Sequence, residues 1–211
     1  MREDNLLCLR KRKFVVTTNS DHGLPIYPNR ARAITLRGRD QLGGAASTYI
    51  RLELEFVYLA VILDAFSRRV IGGALDRTLE AELTLQALRQ ALVRRRPTPG
   101  LVHHSHRGVQ YASRDYTQRL QDQGIQIRMS RKGNPWHNAA CESFRKTLNY
   151  EAVYRPEYRD LAEARASLGV CLEKVYNPKR LHAALGYLPP VEFKRRRLVQ
   201  PPKEAAARQL S

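Results

Sequence analysis

Three features are scarce in this sequence: cysteine, long apolar runs and acidic residues. The three cysteines, Cys8, Cys141 and Cys171, are too widely spaced for a disulfide framework or a zinc knuckle, which favours a reducing cytoplasm. No run approaches the roughly 18 consecutive apolar residues of a membrane-spanning helix. The N-terminus is charged where a secretion signal needs an apolar core, so export is not expected.

The shortage of acids leaves a large basic excess. The chain has 37 Lys and Arg against 20 Asp and Glu, a net charge of +17 and a pI near 10.4. Such an excess favours a polyanionic partner through long-range attraction and counterion release, which indicates nucleic-acid binding. A ribosomal or merely basic soluble protein is the alternative.

The residue pattern divides the chain into three parts. Residues 1–42 are basic and rich in turn formers, which predicts an arm or linker. Residues 43–178 alternate apolar strands with amphipathic helices in the order β-β-β-α-β-α-β-α-α, beginning with an antiparallel meander. Residues 179–211 read as an extended basic tail. The predicted fold class is α/β, with a mixed five-stranded sheet flanked by helices.

Five segments carry a resemblance that covers nearly the whole chain: DQLGGAASTYI, FVYLAVILDAFSRRVIG, LVHHSHRGVQYAS, SRKGNPWHNAACESFRKTL and VYNPKRLHAALGYLPPVEF. They resemble the integrase catalytic core of DDE recombinases, and in particular the B-frame transposases of bacterial insertion sequences. The resemblance implies an RNase H-like fold and three carboxylates that hold two Mg²⁺ or Mn²⁺ ions. It also implies transfer of DNA 3′-OH ends to target phosphodiesters, in a bacterial cytoplasm and close to the nucleoid.

Only one of the three acids of that family is present. Glu142, in NAACESF, matches the family glutamate, whereas His106, in HSHRGVQY, stands where the second aspartate belongs. Ala46 occupies the first aspartate position, in GGAAST, and Gly43 replaces the tryptophan of the W-x-x-D-x-T motif. One carboxylate is too little to hold two dications, so we expect little or no Mg²⁺-dependent catalysis.

Two residues are considered as substitutes for the lost acids. Asp64 ends the second strand and is the nearest spare carboxylate, but an aspartate there more often bonds its own turn, at Ser67 or Arg68. His106 has an imidazole that suits a softer metal than Mg²⁺, or it is simply a hydrogen-bonding loop residue.

Candidate DNA contacts flank the two active-site segments. They are Arg107, Gln110, Tyr111, Arg131, Lys132, Arg145, Lys146 and Arg180. A solvated charged face is the alternative for the basic residues, and core packing is the alternative for Tyr111. Tyr176, Asn177, Arg180 and His182 repeat a family segment that either contacts DNA or supports the fold.

The combined interpretation is a degenerate transposase of a DNA integration system, silent in catalysis. The family carries a helix-turn-helix region ahead of its core, and this sequence starts too late to contain one, so we expect weakened recognition of element ends. The alternative is a DNA-binding remnant that modulates an active relative. The expected partners are DNA and a homo- or hetero-oligomer with a related transposase, with no membrane.

Overall fold

A computed structural model describes residues 20, 22–28, 36, 38, 41–130, 139–148 and 158–199. A mixed five-stranded sheet lies at its centre. The strands are β1 Leu42–Arg51, β2 Phe56–Asp64, β3 Val70–Asp76, β4 Val102–Ser105 and β5 Gln126–Met129. Their spatial order is β3-β2-β1-β4-β5, with β1, β2 and β3 antiparallel and β1, β4 and β5 parallel. The predicted meander and mixed sheet are confirmed.

Seven α-helices occur in the described part of the chain. They are α1 Ala81–Arg95, α2 Val109–Ala112, α3 Arg114–Asp122, α4 Ala139–Leu148, α5 Leu161–Val170, α6 Asn177–Lys179 and α7 Pro190–Val199. A π-helical turn, Cys171–Tyr176, joins α5 to α6, and a 3₁₀ turn spans Ala183–Leu185. None of the described helices is both long and apolar enough to cross a membrane.

The alternation of side chains along β1 separates the two faces of the sheet. Ala46 belongs to the apolar cluster that contains Phe144 of α4 and Leu168 of α5. Its neighbour Ala45 belongs to the opposite cluster, which contains Leu88 of α1 and residues of α3. Successive strand residues point to opposite faces, so the position of a residue along a strand decides which helices it meets. We call the two sides the α4 face and the α1 face.

Gly72 permits the close approach of α1 to the sheet. A Cβ atom at this position would lie 2.1 Å from the carbonyl oxygen of Ala87 in α1, a distance no side chain tolerates. The helix therefore packs directly on the backbone of β3.

Side chains and a preceding segment bond backbone groups on the two outer strands of the sheet. On β3, the Gly73 N–H donates to Gln90 Oε1 at 3.3 Å, and the Leu75 carbonyl accepts from Arg165 Nη2 at 2.9 Å. On β5, the Met129 N–H donates to the Tyr27 carbonyl at 3.1 Å. Tyr27 lies in the predicted basic arm, so the described part of that arm contacts the sheet.

The prediction of an extended tail after residue 179 was wrong. The chain there forms the 3₁₀ turn and α7, whose Phe193 is buried with its ring centroid 5.2 Å from that of Phe66. Pro190 suits the first turn of a helix, and Phe193 one turn later gives that helix an apolar anchor, so a local packing signal outweighed the basic composition. The boundaries at 42/43 and 178/179 stay predictions.

Candidate active site

Glu142 lies in the first turn of α4 and contacts two basic side chains. Its Oε1 is 3.2 Å from His106 Nε2, and its Oε2 accepts a hydrogen bond from Arg145 Nη2 at 2.8 Å. The glutamate side chain is 16% exposed. The hydrogen bond from His106 lowers the pKa of Glu142, as does the adjacent Arg145, although burial acts in the opposite direction. Both carboxylate oxygens therefore already have partners within the protein.

The end of β4 fixes the position of His106. Ser105, the last residue of β4, is fully buried and its carbonyl accepts from the Ser130 N–H at 2.9 Å. His104 Nε2 and Ser130 Oγ are 2.8 Å apart, a second link between the ends of β4 and β5. Because two parallel strands end together here, the next residue, His106, is delivered at the carboxyl edge of the sheet. The structure thus joins the two distant segments that the sequence singled out.

Ala46, at the position of the first family acid, lies on the α4 face, the same side of the sheet as the helix that carries Glu142. It pairs with Val61 of β2, is 3% exposed, and shares an apolar cluster with Phe144. Arg145 lines the same narrow crevice beside Ala46. Where a metal ligand is expected, the chain presents a methyl group.

The residues present do not fit a pair of divalent ions. Mg²⁺ prefers several hard oxygen ligands, and two ions need carboxylates from more than one element. The three positions supply one carboxylate, one imidazole and one methyl group, and the carboxylate is already paired with two basic side chains. Within the described ranges, no group of three His, Cys, Asp or Glu side chains is arranged to hold a metal.

Asp64 is poorly placed to replace a lost acid. It pairs with Gly43 on β1, so its side chain points to the α1 face, away from Ala46 and Glu142. There it accepts hydrogen bonds from the Ser67 N–H at 3.3 Å, from the Ser67 hydroxyl, and from Arg95 Nη2 at 2.8 Å. The interpretation of Asp64 as a turn residue bonded to Ser67 is confirmed, and its position does not suit the substitute-ligand prediction.

The structure corrects two of the predicted DNA contacts. Tyr111 is 3% exposed, its hydroxyl is 2.8 Å from Ser47 Oγ, and its ring packs edge-on against Tyr116. Gln110 is 8% exposed and donates to the Leu79 carbonyl at 2.9 Å. Both side chains are used inside the fold, so neither presents a surface to nucleotides. The polar ends that suggested nucleotide contacts satisfy buried partners instead.

The remaining basic residues that were predicted to contact DNA differ in their surroundings. Arg107 Nε is 3.4 Å from the Ser130 carbonyl, beside the loop that carries His106. Lys146 is exposed on α4, and Arg180 donates to Thr147 Oγ1 at 3.3 Å. Arg131 and Lys132 lie outside the described residues.

Arg145 has a partner that the sequence interpretation missed. It was predicted as a DNA contact, yet it pairs with Glu142 three residues earlier on the same helix. The signal was available, because residues three apart on a helix are neighbours on its surface. With 45% of its side chain exposed, Arg145 still faces solvent as well as Glu142.

Integrase core domain families match residues 45–135 and residues 123–190. The uncharacterised 31 kDa protein of insertion element IS600 from Shigella sonnei is 37% identical over 194 residues, covering 92% of this chain and 71% of that protein. Transposase InsF of insertion sequence IS3A from Escherichia coli K12 is 33% identical over 199 residues, covering 94% and 69%. The chain belongs to the insertion-sequence transposases.

Another transposase of this family, that of IS904 from Lactococcus lactis, is 38% identical over 148 residues, which cover 70% of this chain and 58% of that protein. DNA transposition is the function of the family, as the resemblance implied. The recognition of an integrase core from sequence motifs alone is confirmed.

Solved structures show which fold this transposase core has. The catalytic core of BIV integrase matches with a TM-score of 0.55 at 16% identity, covering 82% of this chain and 99% of that one. The catalytic domain of Mos1 mariner transposase matches with a TM-score of 0.53 at 14% identity, covering 63% and 70%. The predicted RNase H-like fold is confirmed. Among similar cores, that of HTLV-2 integrase was solved with magnesium, at a TM-score of 0.51, and that of Mos1 with manganese, at 0.52.

Proposed function

We propose that this transposase core binds DNA but does not transfer strands. The observation that carries the proposal is the state of the Glu142 carboxylate, which bonds His106 and Arg145 at 3.2 and 2.8 Å. Two-metal strand transfer places dications on the attacking and leaving oxygens, and these ions need several carboxylates. Here Arg145 offsets the charge of the one carboxylate that remains, and His106 bonds its other oxygen.

The net charge of +17 supports the DNA-binding half of the proposal. Neutralising backbone phosphates with Lys and Arg releases counterions, which gives affinity without sequence preference. Arg107 directly follows His106 and Lys146 is exposed one turn after Glu142 on α4, and Arg131 and Lys132 extend the basic set in sequence. DNA that crosses the Glu142 site therefore meets basic side chains close to it in sequence.

The proposed partners are DNA, held mainly by its backbone, and other transposase copies. The HTLV-2 integrase core, a structural neighbour, was solved in a trimeric form. We propose that this chain likewise assembles with itself or with a related transposase, on chromosomal DNA in the cytoplasm. We also propose that the chain divides into a catalytic-core domain at residues 43–178, a basic arm at residues 1–42 and a basic C-terminal extension at residues 179–211.

The deciding experiment is nicking of supercoiled DNA at low salt in Mg²⁺ and in Mn²⁺. The natural chain is compared with the double revertant Ala46→Asp, His106→Asp, and with Glu142→Ala in both backgrounds. We expect the natural chain to bind DNA without nicking it, and only the revertant to cut, in a Glu142-dependent way. Cutting by the natural chain that Glu142→Ala abolishes would show a substitute ligand and overturn the proposal.

A further inference from the structure

A polar pocket lies beside the former active site, on the neighbouring surface of α4. It has a volume of about 300 Å³ and opens between α4 and the segment 176–184. The side chains that matter are Arg68, Ser143, Phe144, Thr147, Tyr176 and His182. None of the described residues that line it is acidic. Ser143 directly follows Glu142, so the pocket adjoins the Glu142 site without sharing its carboxylate.

Two side chains at the junction of the π-helical turn and α6 hold the pocket wall in place. Asn177, which is 1% exposed, accepts from the Val70 N–H at 2.9 Å and donates to the Val70 carbonyl at 3.1 Å. The Tyr176 hydroxyl donates to the Arg68 carbonyl at 3.1 Å. These bonds tie the C-terminal segment to the turn between β2 and β3, and so set Arg68 opposite α4.

A series of aromatic rings positions His182. The ring of Phe144 packs edge-on against Tyr176 at 5.0 Å, and Tyr176 packs edge-on against His182 at 5.2 Å. Each contact restricts the orientation of the next ring. The imidazole is therefore held in one position at the pocket, although its backbone lies in a surface segment.

The pocket has the chemistry of an anion site. Arg68 supplies one positive charge to the lining, and Arg180 brings a second close to it by donating to the lining residue Thr147, at Oγ1, at 3.3 Å. The hydroxyls of Ser143 and Thr147 are further donors. The Nε2 atom of His182 is buried and has no hydrogen-bond partner within the described part of the chain. A buried ring nitrogen without a partner is costly unless something else reaches it.

We propose that this pocket binds one phosphate group of the DNA backbone, held by Arg68, His182 and the α4 hydroxyls. The inference rests on the proposed DNA binding and adds a defined contact to it. A phosphodiester supplies the negative charge that the pocket lacks and an acceptor for each of its donors. The family segment around Tyr176 and Asn177 then supports the fold and builds a DNA contact at once.

The pKa of His182 can be measured with and without DNA, and a purely structural role of the pocket would leave it unchanged. Burial, together with the positive charges of the nearby Arg180 and Arg68, lowers the pKa of His182 to about 4, and Tyr176 packs against its ring. A bound phosphate is an opposite charge next to the imidazole, so it must raise this pKa. Histidine-selective NMR of the protein with and without a short duplex measures the change directly.

The affinity test uses a duplex oligonucleotide and fluorescence anisotropy over a range of salt concentrations. The variants are Arg68→Met, which removes the charge, Arg68→Lys, which keeps it, and Thr147→Val, which removes one hydroxyl at constant shape. Arg119→Met is the matched control, because it removes one exposed arginine from α3, on the other face of the sheet. Circular dichroism verifies that each variant is folded.

We expect Arg68→Met to reduce the slope of log K against log salt by about 0.9, the loss of one phosphate contact. Arg68→Lys should keep the slope, Thr147→Val should weaken binding several-fold, and Arg119→Met should match the natural chain. DNA should also raise the pKa of His182. If the natural chain binds DNA while the pocket variants behave like Arg119→Met, and His182 does not respond, the pocket inference is overturned and the proposed function stands. If the natural chain does not bind DNA at all, both fall.

Discussion

Restoring the two lost acids should make the stability of this protein depend on Mg²⁺. Ala46→Asp puts a carboxylate where a methyl group is 3% exposed among apolar side chains, and among the described residues that line this crevice Arg145 is the charged one. An incompletely paired buried charge costs about 3–5 kcal/mol. His106→Asp adds about 1.5–3 kcal/mol, because it removes a charged hydrogen bond from Glu142 and puts a second negative charge beside it.

The summed cost is comparable with the total stability of many domains, which is about 5–15 kcal/mol. A cation that binds only the folded state should raise the free energy of unfolding by about 2.7 kcal/mol at a hundredfold excess over its Kd. We therefore expect the double revertant to melt well below the natural chain without metal, and to recover several degrees with Mg²⁺.

The assay is thermal unfolding followed by circular dichroism, with and without Mg²⁺ at constant ionic strength. The natural chain and the double revertant carrying Glu142→Gln are the controls, and neither should respond to the metal. The reasoning fails if the double revertant is as stable as the natural chain without metal. It also fails if Mg²⁺ stabilises the natural chain and the revertant equally, since the three positions would then not form one site.

Three further predictions concern the fold. Burial, assisted by His104, lowers the pKa of His103 to about 3, so the unfolded chain takes up a proton first as the pH falls below 6.5. The natural chain should lose about 2 kcal/mol more than His103→Gln between about pH 7 and pH 5 in urea unfolding, and equal losses would contradict this. Asn177→Leu should cost about 2–3 kcal/mol, because two backbone groups of β3 lose their partner, and a loss below about 0.5 kcal/mol would refute that role. Gly72→Ala should cost about 1–3 kcal/mol, since its Cβ would meet the Ala87 carbonyl at 2.1 Å. Gly73→Ala is the matched control and should be neutral or stabilise the protein by up to about 1 kcal/mol, because its Cβ makes only ordinary contacts. Equal melting temperatures of the two variants would contradict the close packing of α1 on Gly72.

Local sequence signals predicted the sheet best where a strand is a continuous apolar run. The run FVYLAVILD is buried along most of its length as β2, and the turn at Ser67 follows from Asp64, which bonds it. The motif positions likewise predicted that the His106 and Glu142 segments converge, and their side chains meet at 3.2 Å. These features depend on residues close in sequence, or on a motif that keeps its spacing.

The sequence interpretation failed where burial decides the role of a polar side chain. Tyr111 and Gln110 follow an active-site loop and carry groups suited to nucleotides, yet both bond buried partners. The local sequence does not predict that α2 buries these two side chains. The polar pocket at Arg68 was missed for a related reason, because its walls come from three distant segments. The buried Asn177 and the edge-on rings of Tyr176 and His182 become meaningful only once those segments are assembled.

The covered edges of the sheet limit how this protein can associate. At the middle of β3, Gln90 and Arg165 are hydrogen-bonded to backbone groups that an incoming strand would need. On β5, the backbone carbonyl of Tyr27 is bonded to such a group. An added strand would have to displace these bonds before it formed its own. Association through side-chain surfaces would leave these bonds in place. Edge groups that are already bonded are also less available for the strand stacking that leads to fibrils.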